Sequence, residues 1–462
     1  MQIPNNVKQI LKDLQSSGYE GYVVGGAVRD YVMNIEPHDW DVATNATPEQ
    51  VKSVFSKTFD SGIKHGTVTA LVGDEPFEIT TYRSDGLYSD GRHPDAVSFV
   101  NTIEEDLARR DFTINAMAMD INGHIIDPYG GQEDIKRGLI RCVGNPDQRF
   151  NEDALRMMRA VRFESKFDFD LEPETKQAIN RNVDKLKSVS SERIREEYTK
   201  ILTSQSPKKG FLDAYEVGIT AVTLPEFNRM MECEQRHPSH YANVGEHSLD
   251  TVEYIRPDAN LRWAMLLHDV GKPDTKGINP KNGYDSFYGH PERSEEIARG
   301  ILNRLKFSNA DKKEVLGLVK FHDYVPNSDY KKRVFGAKFG ADFVRKLGEV
   351  KMADAEAHTP EYAVNFVETN RAFVRDVIGF IEDGTAIQPS GLKIDGNELK
   401  EIGLEGKEIG RFIRNAHRDC LAQPNMNTNE LLRKRAERHI ERLKQAEERT
   451  PKESPEDGIE YQ

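Results

Sequence analysis

Apolar residues at Ile3, Val7, Ile10, Leu11 and Leu14 recur at helical spacing, so residues 1–14 read as a short amphipathic helix. The period then shortens. GYEGYVVGG reads as a strand running into a glycine pair, a helix follows from Ala27 to about Met33, and DWDVAT reads as the next strand. PEQVKSVF is helical and leads to strand-like segments around TVTALV and FEITTYR. After the polar, glycine-rich loop SDGLYSDGRHPD, the segment EEDLARRDFTINAMAMD reads as helical and DPYGGQED as a turn. From about Asn145 onward strand signals almost vanish, and helical patterns continue, broken at SQSPKK, GKPDTKGINPKNG and AIQPSGLKIDG. RTPKESPEDGIEYQ reads as a solvated, disordered tail, and no internal repeat is evident. The pattern predicts a small α/β head on a long helical body.

At 462 residues the chain has room for two to four domains and several cores. Its 37 % hydrophobic and 31 % charged residues contain no apolar run near the roughly 18 needed to cross a bilayer. MQIPNNVKQILKDL lacks the basic patch and apolar stretch of a secretory signal. Cys142, Cys233 and Cys420 lie far apart with no CxxC, which excludes a disulfide framework or a cysteine zinc site and fits a reducing cytoplasm. Net charge is −13, from 64 basic and 77 acidic residues. That balance argues against a nucleic-acid partner unless basic groups are gathered locally.

Chemistry concentrates first at VVGGAVRD and DWDVAT. Gly25 and Gly26 end a strand and open a helix carrying Arg29 and Asp30, a geometry that lets backbone N–H groups approach a phosphate. An ordinary strand-to-helix turn has the same look. Asp39 and Asp41 stand two apart in a strand-like segment, so both are expected on one face with Trp40 on the other. Two neighbouring carboxylates repel unless a cation bridges them, and a divalent metal with an incoming triphosphate meets that need. Two solvated acids at a strand end are the plain alternative.

Together these segments resemble the head of a polymerase-β-type nucleotidyltransferase. KHGTV (Lys64–Val68), FEITTYR (Phe77–Arg83), RRDFTINA (Arg109–Ala116) and EDALRMMRAVRF (Glu152–Phe163) are similar to motifs of the bacterial class II CCA-adding enzymes, the tRNA nucleotidyltransferases. The likeness covers roughly residues 1–205 and is looser beyond. It implies an α+β chain: a small mixed-sheet nucleotidyltransferase head, then a largely α-helical neck, HD-type body and tail. It implies a tRNA 3′-hydroxyl attacking the α-phosphate of CTP or ATP, Mg²⁺ held by Asp39 and Asp41, and nucleotide contacts from Gly26, Arg29 and Arg110. No membrane is implied. Glu78 is either a third carboxylate or a structural charge, and Asp111 reads as a salt-bridge or capping residue. The loop with Arg92 and Asp95 resembles the flexible loop of complete CCA adders. KHGTVTALV departs from the basic segment of bacterial poly(A) polymerases. Partial A-only or CC-only addition, poly(A) synthesis, or an HD phosphohydrolase with a tRNA-gripping head are the alternatives.

Asp153, Arg156, Arg159 and Arg162 recur every third residue, which on a helix gives one slowly drifting stripe. Spacing alone would make this a solvated charge ladder. Cytosine and adenine, however, each present an amino donor beside a ring-nitrogen acceptor, while guanine and uracil present the reverse. A carboxylate with a guanidinium, Asp153 with Arg156, suits the first pair. The resemblance implies that these positions read the base, with Arg159 and Arg162 near the nucleotide.

A histidine-rich stretch follows: His247, His268–Asp269 in LRWAMLLHDVGKP, His290, His322–Asp323 and Asp354. A single buried histidine is more often a core residue than a ligand. The H…HD…D order resembles the HD phosphohydrolases, implying His247, His268, Asp269 and Asp354 as ligands of a divalent transition metal, with His290 and His322 for a second metal or a phosphate. Further on, Lys407, Arg411, Arg414 and Arg418 lie in a charged segment that reads either as a solvated surface helix or, by the resemblance, as a tRNA-contacting tail. The expected division is a head at 1–144, a neck at 145–225, an HD-type domain at 226–365, a helical tail at 366–450 and a disordered end at 451–462.

Overall fold

Successive residues of a strand face opposite sides of a sheet, and the head is organised by one such pair. On β1 (Gly21–Val24), Val23 enters a core with Val7, Ile10, Leu14, Val28 and Val42. Val24 enters a second core with Ala43, Tyr82, Leu107 and Ala118. Both faces of the sheet are therefore covered. The computed structural model describes residues 2–85 and 97–449. The loop with Arg92 and Asp95, and the tail from Thr450, lie outside the described residues.

The head runs α1 (Asn5–Ser16), β1, α2 (Gly26–Val32), β2 (Asp41–Thr44), α3 (Pro48–Val54), β3 (Thr58–Gly62), β4 (Thr67–Val72) and β5 (Glu75–Thr81). It continues through β6 (Arg83–Asp85), β7 (Val97–Phe99), α4 (Ile103–Ala108), β8 (Ala118–Met119), β9 (Ile125–Ile126), α5 (Gly131–Arg137) and β10 (Leu139–Ile140). Seven strands form one sheet in the order β3-β4-β5-β2-β1-β8-β9. Only the β2–β5 pairing is parallel, so the sheet is mixed. The five apolar residues of the first helical stripe are all buried, as their spacing requires.

Two local expectations change. DWDVAT becomes strand only at Asp41, because its partner β1 ends at Val24, opposite Asp41, and turns away at Gly25. Asp39 lies in the approach to the strand, not within it. EEDLARRDFTINAMAMD is not one helix: α4 stops at Ala108, Phe112 bridges to Cys142, a 3-10 turn spans Thr113–Asn115, and β8 follows. Pairing to the sheet and to Cys142 overrides the local helical pattern.

The helical body continues with α6 (Pro146–Glu152), α7 (Arg156–Phe167), β11 (Asp170–Leu171), α8 (Pro173–Asn182), α9 (Ser191–Leu202) and α10 (Pro207–Glu216). Then come α11 (Ile219–Thr223), α12 (Pro225–Met231), α13 (Val244–Tyr254), α14 (Ala259–Leu267), α15 (Lys272–Thr275), the hairpin strands β12 (Gly277–Ile278) and β13 (Asp285–Ser286), α16 (His290–Arg304) and α17 (Asn309–Phe321). The chain divides into two compact units, Met1–Lys320 and Phe321–Gln462. In the second, α18 (Asp329–Glu356) pairs with α19 (Pro360–Glu382) and kinks at Gly340, whose φ of 76° and ψ of 170° are not helical. Phe335, Phe339, Phe343 and Phe373 pack between them. A separate core of Leu399, Phe412, Ala416, Cys420, Leu432 and Ala436 joins α20 (Gly396–Ile402), α21 (Lys407–Ala422) and α22 (Asn429–Arg449).

In the first unit α7 packs against both α9 and α10, and buries an acid there. Burial first, and then the charge of and hydrogen bond with Asp213, push Glu164 up to about 9. The folded protein therefore holds a proton on Glu164 that the unfolded chain releases near pH 4.5. Between these values stability falls as pH rises, by up to about 1.4 kcal/mol per pH unit. Glu164→Gln should flatten this limb, and denaturant melts from pH 5 to 9 on both proteins read the difference.

Candidate active site

Gly25 closes β1 at a φ of 69°, in the left-handed region that favours glycine. A Cβ there would lie 2.8 Å from Arg110 Nη1, so side chain and backbone are both constrained at this turn. Arg29, one turn into α2, donates from Nη1 to Asn115 Oδ1 at 2.7 Å and from Nε to Asp30 at 2.8 Å. Its guanidinium lies 4.7 Å from the centre of the Phe167 ring on α7. Gly25, Gly26, Arg29 and Arg110 all line one cleft of about 920 Å³.

Asp39, Asp41 and Glu78, the last from β5, share that cleft. The Asp41 carboxyl is held above its ordinary range by lost hydration first, then by the charges of Glu78 and Asp39, with Arg110 opposing. Three converging carboxylates and a raised pKa are what a divalent cation relieves, and the all-oxygen donor set suits Mg²⁺.

The opposite wall is a ladder of ion pairs. Asp111 receives Arg159 Nε at 2.8 Å, the Phe112 N–H at 2.9 Å and Asn115 Nδ2 at 3.2 Å. Burial alone would raise its pKa. The charge of and hydrogen bond from Arg159, with help from Arg156 and Asn115, hold it well below the carboxylate range. Arg156 donates to Glu152 at 2.5 Å and to the Arg109 carbonyl at 3.2 Å, and Arg162 donates to Glu197 at 3.2 Å. Asp153 does not continue the helical stripe. It caps the end of α6 in extended conformation, accepts from the Leu155 N–H at 2.9 Å, and pairs with Arg193 of α9 at 2.7 Å. The chain must leave α6 to start α7 in a new direction, and Asp153 is the residue that makes the turn. Asp153, Arg156, Arg159 and Arg162 nevertheless all reach the same cleft. Among the described residues eight arginines line it against five carboxylates, so basic charge is gathered locally in an acidic chain.

A second cluster lies in the same unit. Asp269 follows α14 and lies among three imidazoles: His268 Nε2 is 3.3 Å from its Oδ2, His247 Nε2 3.8 Å from the same oxygen, and His290 Nε2 3.3 Å from Oδ1. Lys272 adds an ion pair at 2.6 Å. The His268 and His290 rings are aimed by their Nδ1 atoms, which contact the carbonyls of Met265 at 2.6 Å and Phe287 at 2.9 Å. Carbonyl-oriented imidazoles around a buried carboxylate fit a divalent transition metal. Asp354, the remaining candidate, belongs to the second unit, half-buried on α18. On α21 Lys407, Arg411, Arg414 and Arg418 are exposed on one stripe, while Phe412, Ala416 and Cys420 turn inward.

Family models match in three places: the poly A polymerase head domain at residues 21–141, the probable RNA and SrmB-binding site of polymerase A at 168–231, and the HD domain at 244–357. A CCA-adding enzyme of Lactobacillus helveticus is 40 % identical over 317 residues, 68 % of this chain and 71 % of that protein. One from Lactobacillus johnsonii is 38 % identical over 386 residues, 82 % of this chain and 88 % of its own. The chain belongs to the CCA-adding enzyme family. Among solved structures, the Bacillus stearothermophilus CCA-adding enzyme in complex with CTP aligns over 96 % of this chain and 98 % of that one, at 29 % identity and a TM-score of 0.71. Nucleotidyltransferase heads and HD domains both work with divalent metal ions. No described helix is long and apolar enough to cross a membrane.

For a CCA-adding enzyme, Arg193 of this cleft and Glu197, the partner of Arg162, escaped sequence reasoning. Arg193 and Glu197 stand four apart on α9 like any exposed helical pair. Only the packing of α9 on α7 turns them towards Asp153 and Arg162. The wall is also a stability element. Asp111→Ala leaves the Arg159 guanidinium without its carboxylate, and should cost about 2–4 kcal/mol, read as a lowered thermal midpoint.

Proposed function

We propose that this enzyme adds C, C and A in turn to tRNA 3′ ends, with CTP and ATP as donors and pyrophosphate as leaving group. What carries the reading is one cleft that joins the Asp39–Asp41–Glu78 carboxylates to the Asp153–Arg156 pair. We read the chain as a head (1–144), neck (145–225), HD-type domain (226–365) and helical tail (366–450), working in the cytoplasm, where its three buried free cysteines stay reduced. The relative solved with CTP supports the nucleotide, and the family's name supports the reaction.

We assign Asp39 and Asp41 as Mg²⁺ ligands, with Glu78 beside them. Mg²⁺ bound there supplies charge neutralisation at the attacking 3′-oxygen and on the departing pyrophosphate. Gly25 and Gly26 let the triphosphate approach the backbone, and Arg29 and Arg110 neutralise its charge. Asp153, paired with Arg193, accepts from the amino group of C or A. Arg156, fixed by Glu152 and the Arg109 carbonyl, donates to the adjacent ring nitrogen. Arg159 and Arg162 keep the nucleotide side of α7 cationic. The exposed stripe of Lys407, Arg411, Arg414 and Arg418 is assigned to the tRNA backbone.

A second reading holds for His247, His268 and Asp269: a metal-dependent phosphohydrolase beside the transferase. Three imidazoles around Asp269 favour it. Water would add to phosphorus, a P–O ester bond would break, and the proton would pass to the released hydroxyl, as for a 2′,3′-cyclic phosphate or a 2′-phosphate on RNA.

Asp39→Ala or Asp41→Ala should cut nucleotide transfer by about a thousandfold or more while tRNA still binds, measured by single-turnover extension and filter binding. Retained turnover would remove the carboxylates from the metal role. Asp153→Ala should raise GTP and UTP incorporation relative to CTP and ATP by roughly ten- to a hundredfold in kcat/KM. The reaction itself is read on labelled tRNAs ending before CCA, after the first C, and after CC, each with CTP, ATP or both. Growth of the shortest by three nucleotides, then arrest, is expected. CC alone or A alone marks a partial adder, and a long ladder with ATP marks poly(A) synthesis.

A further inference from the structure

The inward face of α4 consists of Ile103, Asp106 and Leu107, a buried stripe at i, i+3 and i+4 with a carboxylate in the middle. Asp106 is only 1 % exposed. Its acidic neighbours have ordinary places: Glu105 closes a capping box with Thr102, and Glu104 is exposed. A carboxylate held away from water persists only where donors surround it, so the identity of those donors shows what Asp106 is for.

The donors belong to the cleft. Asp106 Oδ1 accepts from Arg109 Nε at 3.0 Å and from the Arg83 backbone N–H at 3.3 Å, and Oδ2 accepts from Arg110 Nη2 at 3.2 Å. Burial pushes the Asp106 carboxyl up, but the charges of Arg109 and Arg110 hold it below its ordinary range. Arg83, Arg109 and Arg110 all line the cleft. Arg110 is the one that faces the glycine turn, where a Cβ on Gly25 would meet its Nη1 at 2.8 Å. Its buried Nε has no acceptor among the described residues. Asp106 thus holds one edge of this guanidinium and leaves the rest for a ligand. After Asp106, the acid acting on Arg110 is Asp41. A guanidinium released from Asp106 would find its next partner there, on a carboxylate assigned to the metal.

We propose that Asp106 is a positioning residue for nucleotide transfer: it holds Arg110 at the glycine turn for the triphosphate, and away from an ion pair with Asp41. This rests on the triphosphate role of Arg110 proposed above and adds what sets that arginine in place. Base reading is separate, because Arg156 is anchored by the main-chain carbonyl of Arg109 and not by a side chain that Asp106 holds. Charge and placement act in opposite directions here. Removing a negative charge from the cleft would by itself tighten the binding of a polyanion, so weaker binding reports lost placement.

The full-length protein, Asp106→Asn, Arg110→Ala and the double variant are titrated calorimetrically with CTP and with inorganic tripolyphosphate, in Mg²⁺ and without tRNA. Asp106→Asn should weaken both ligands about tenfold. On labelled tRNA it should raise KM for CTP and ATP alike and leave the preference for CTP over UTP unchanged. In the Arg110→Ala background the same substitution should have no further effect, since a residue acting through Arg110 has nothing left to place. Asp106→Glu keeps the charge, moves the carboxylate by one methylene, and should weaken CTP in the same sense; it carries the test if Asp106→Asn does not fold. Affinity unchanged or tightened in these variants overturns the proposal. So does equal weakening with and without Arg110, or a relaxed base preference, either of which marks a general loosening of the segment that fixes Arg156. If the parent protein binds neither CTP nor tripolyphosphate, the nucleotide assignment itself fails, and the role of Asp106 with it.

Discussion

The ion pair between Asp111 and Arg159 couples the head to the neck, and the cleft is arranged around it. Asp111 comes from the segment that leaves α4 and bridges to Cys142, while Arg159 lies in the first turn of α7. The same carboxylate takes the Phe112 N–H and Asn115, and Asn115 in turn takes Arg29 from the glycine turn. One buried acid thereby sets the relative placement of the glycine turn, the arginines of the RRDFTINA segment and the helix that faces them. Removing a partner from such a pair costs far more than the pair contributes when intact, because the survivor is left desolvated.

The rest of the wall repeats this logic with different partners. Arg156 with Glu152, Arg162 with Glu197, and Arg193 with Asp153 each satisfy a charge that would otherwise be expensive to hold away from water. The consequence is rigidity. A site that discriminates bases by donor and acceptor placement needs its carboxylate and guanidinium fixed before the nucleotide arrives, since an unmatched buried polar group is what rejects the wrong base. On the opposite side Asp39, Asp41 and Glu78 converge, and the charge of Arg110 partly offsets the upward shift of Asp41. The two walls therefore differ in kind: ion pairs on one side, and converging carboxylates on the other.

The local chemistry was legible in the sequence because it depends on neighbours along the chain. The glycine pair is dictated by a left-handed turn, the two aspartates by a short spacing beside a strand, and His268–Asp269 by adjacency. The buried stripe of α1 and the mixed character of the head followed from the period of apolar residues and from the family likeness. Asp111 was read as a salt-bridge or capping residue, and it makes the salt bridge, to Arg159. Reading Asp153 on one helix with the three arginines failed, because a regular spacing of three does not reveal that α6 ends at Glu152 and the chain turns there. EEDLARRDFTINAMAMD failed as a helix for a related reason: Phe112 pairs with Cys142, and Ala118–Met119 pair with β1 and β9.

What the sequence by itself determined is the inventory: a phosphate-approaching turn, metal-suited carboxylates, a base-matching acid and arginines, and a histidine cluster, each carried by short motifs. Tertiary structure alone decided which of these meet. It brought Arg193 from α9 to the cleft, gathered eight arginines there in a chain of net charge −13, and set His290 beside Asp269. The physical reason is that side-chain type and spacing fix local conformation, whereas ion pairs and ring contacts between distant segments arise only when helices pack. Packing is governed by the buried apolar faces, and these carry no record of which charges they will bring together.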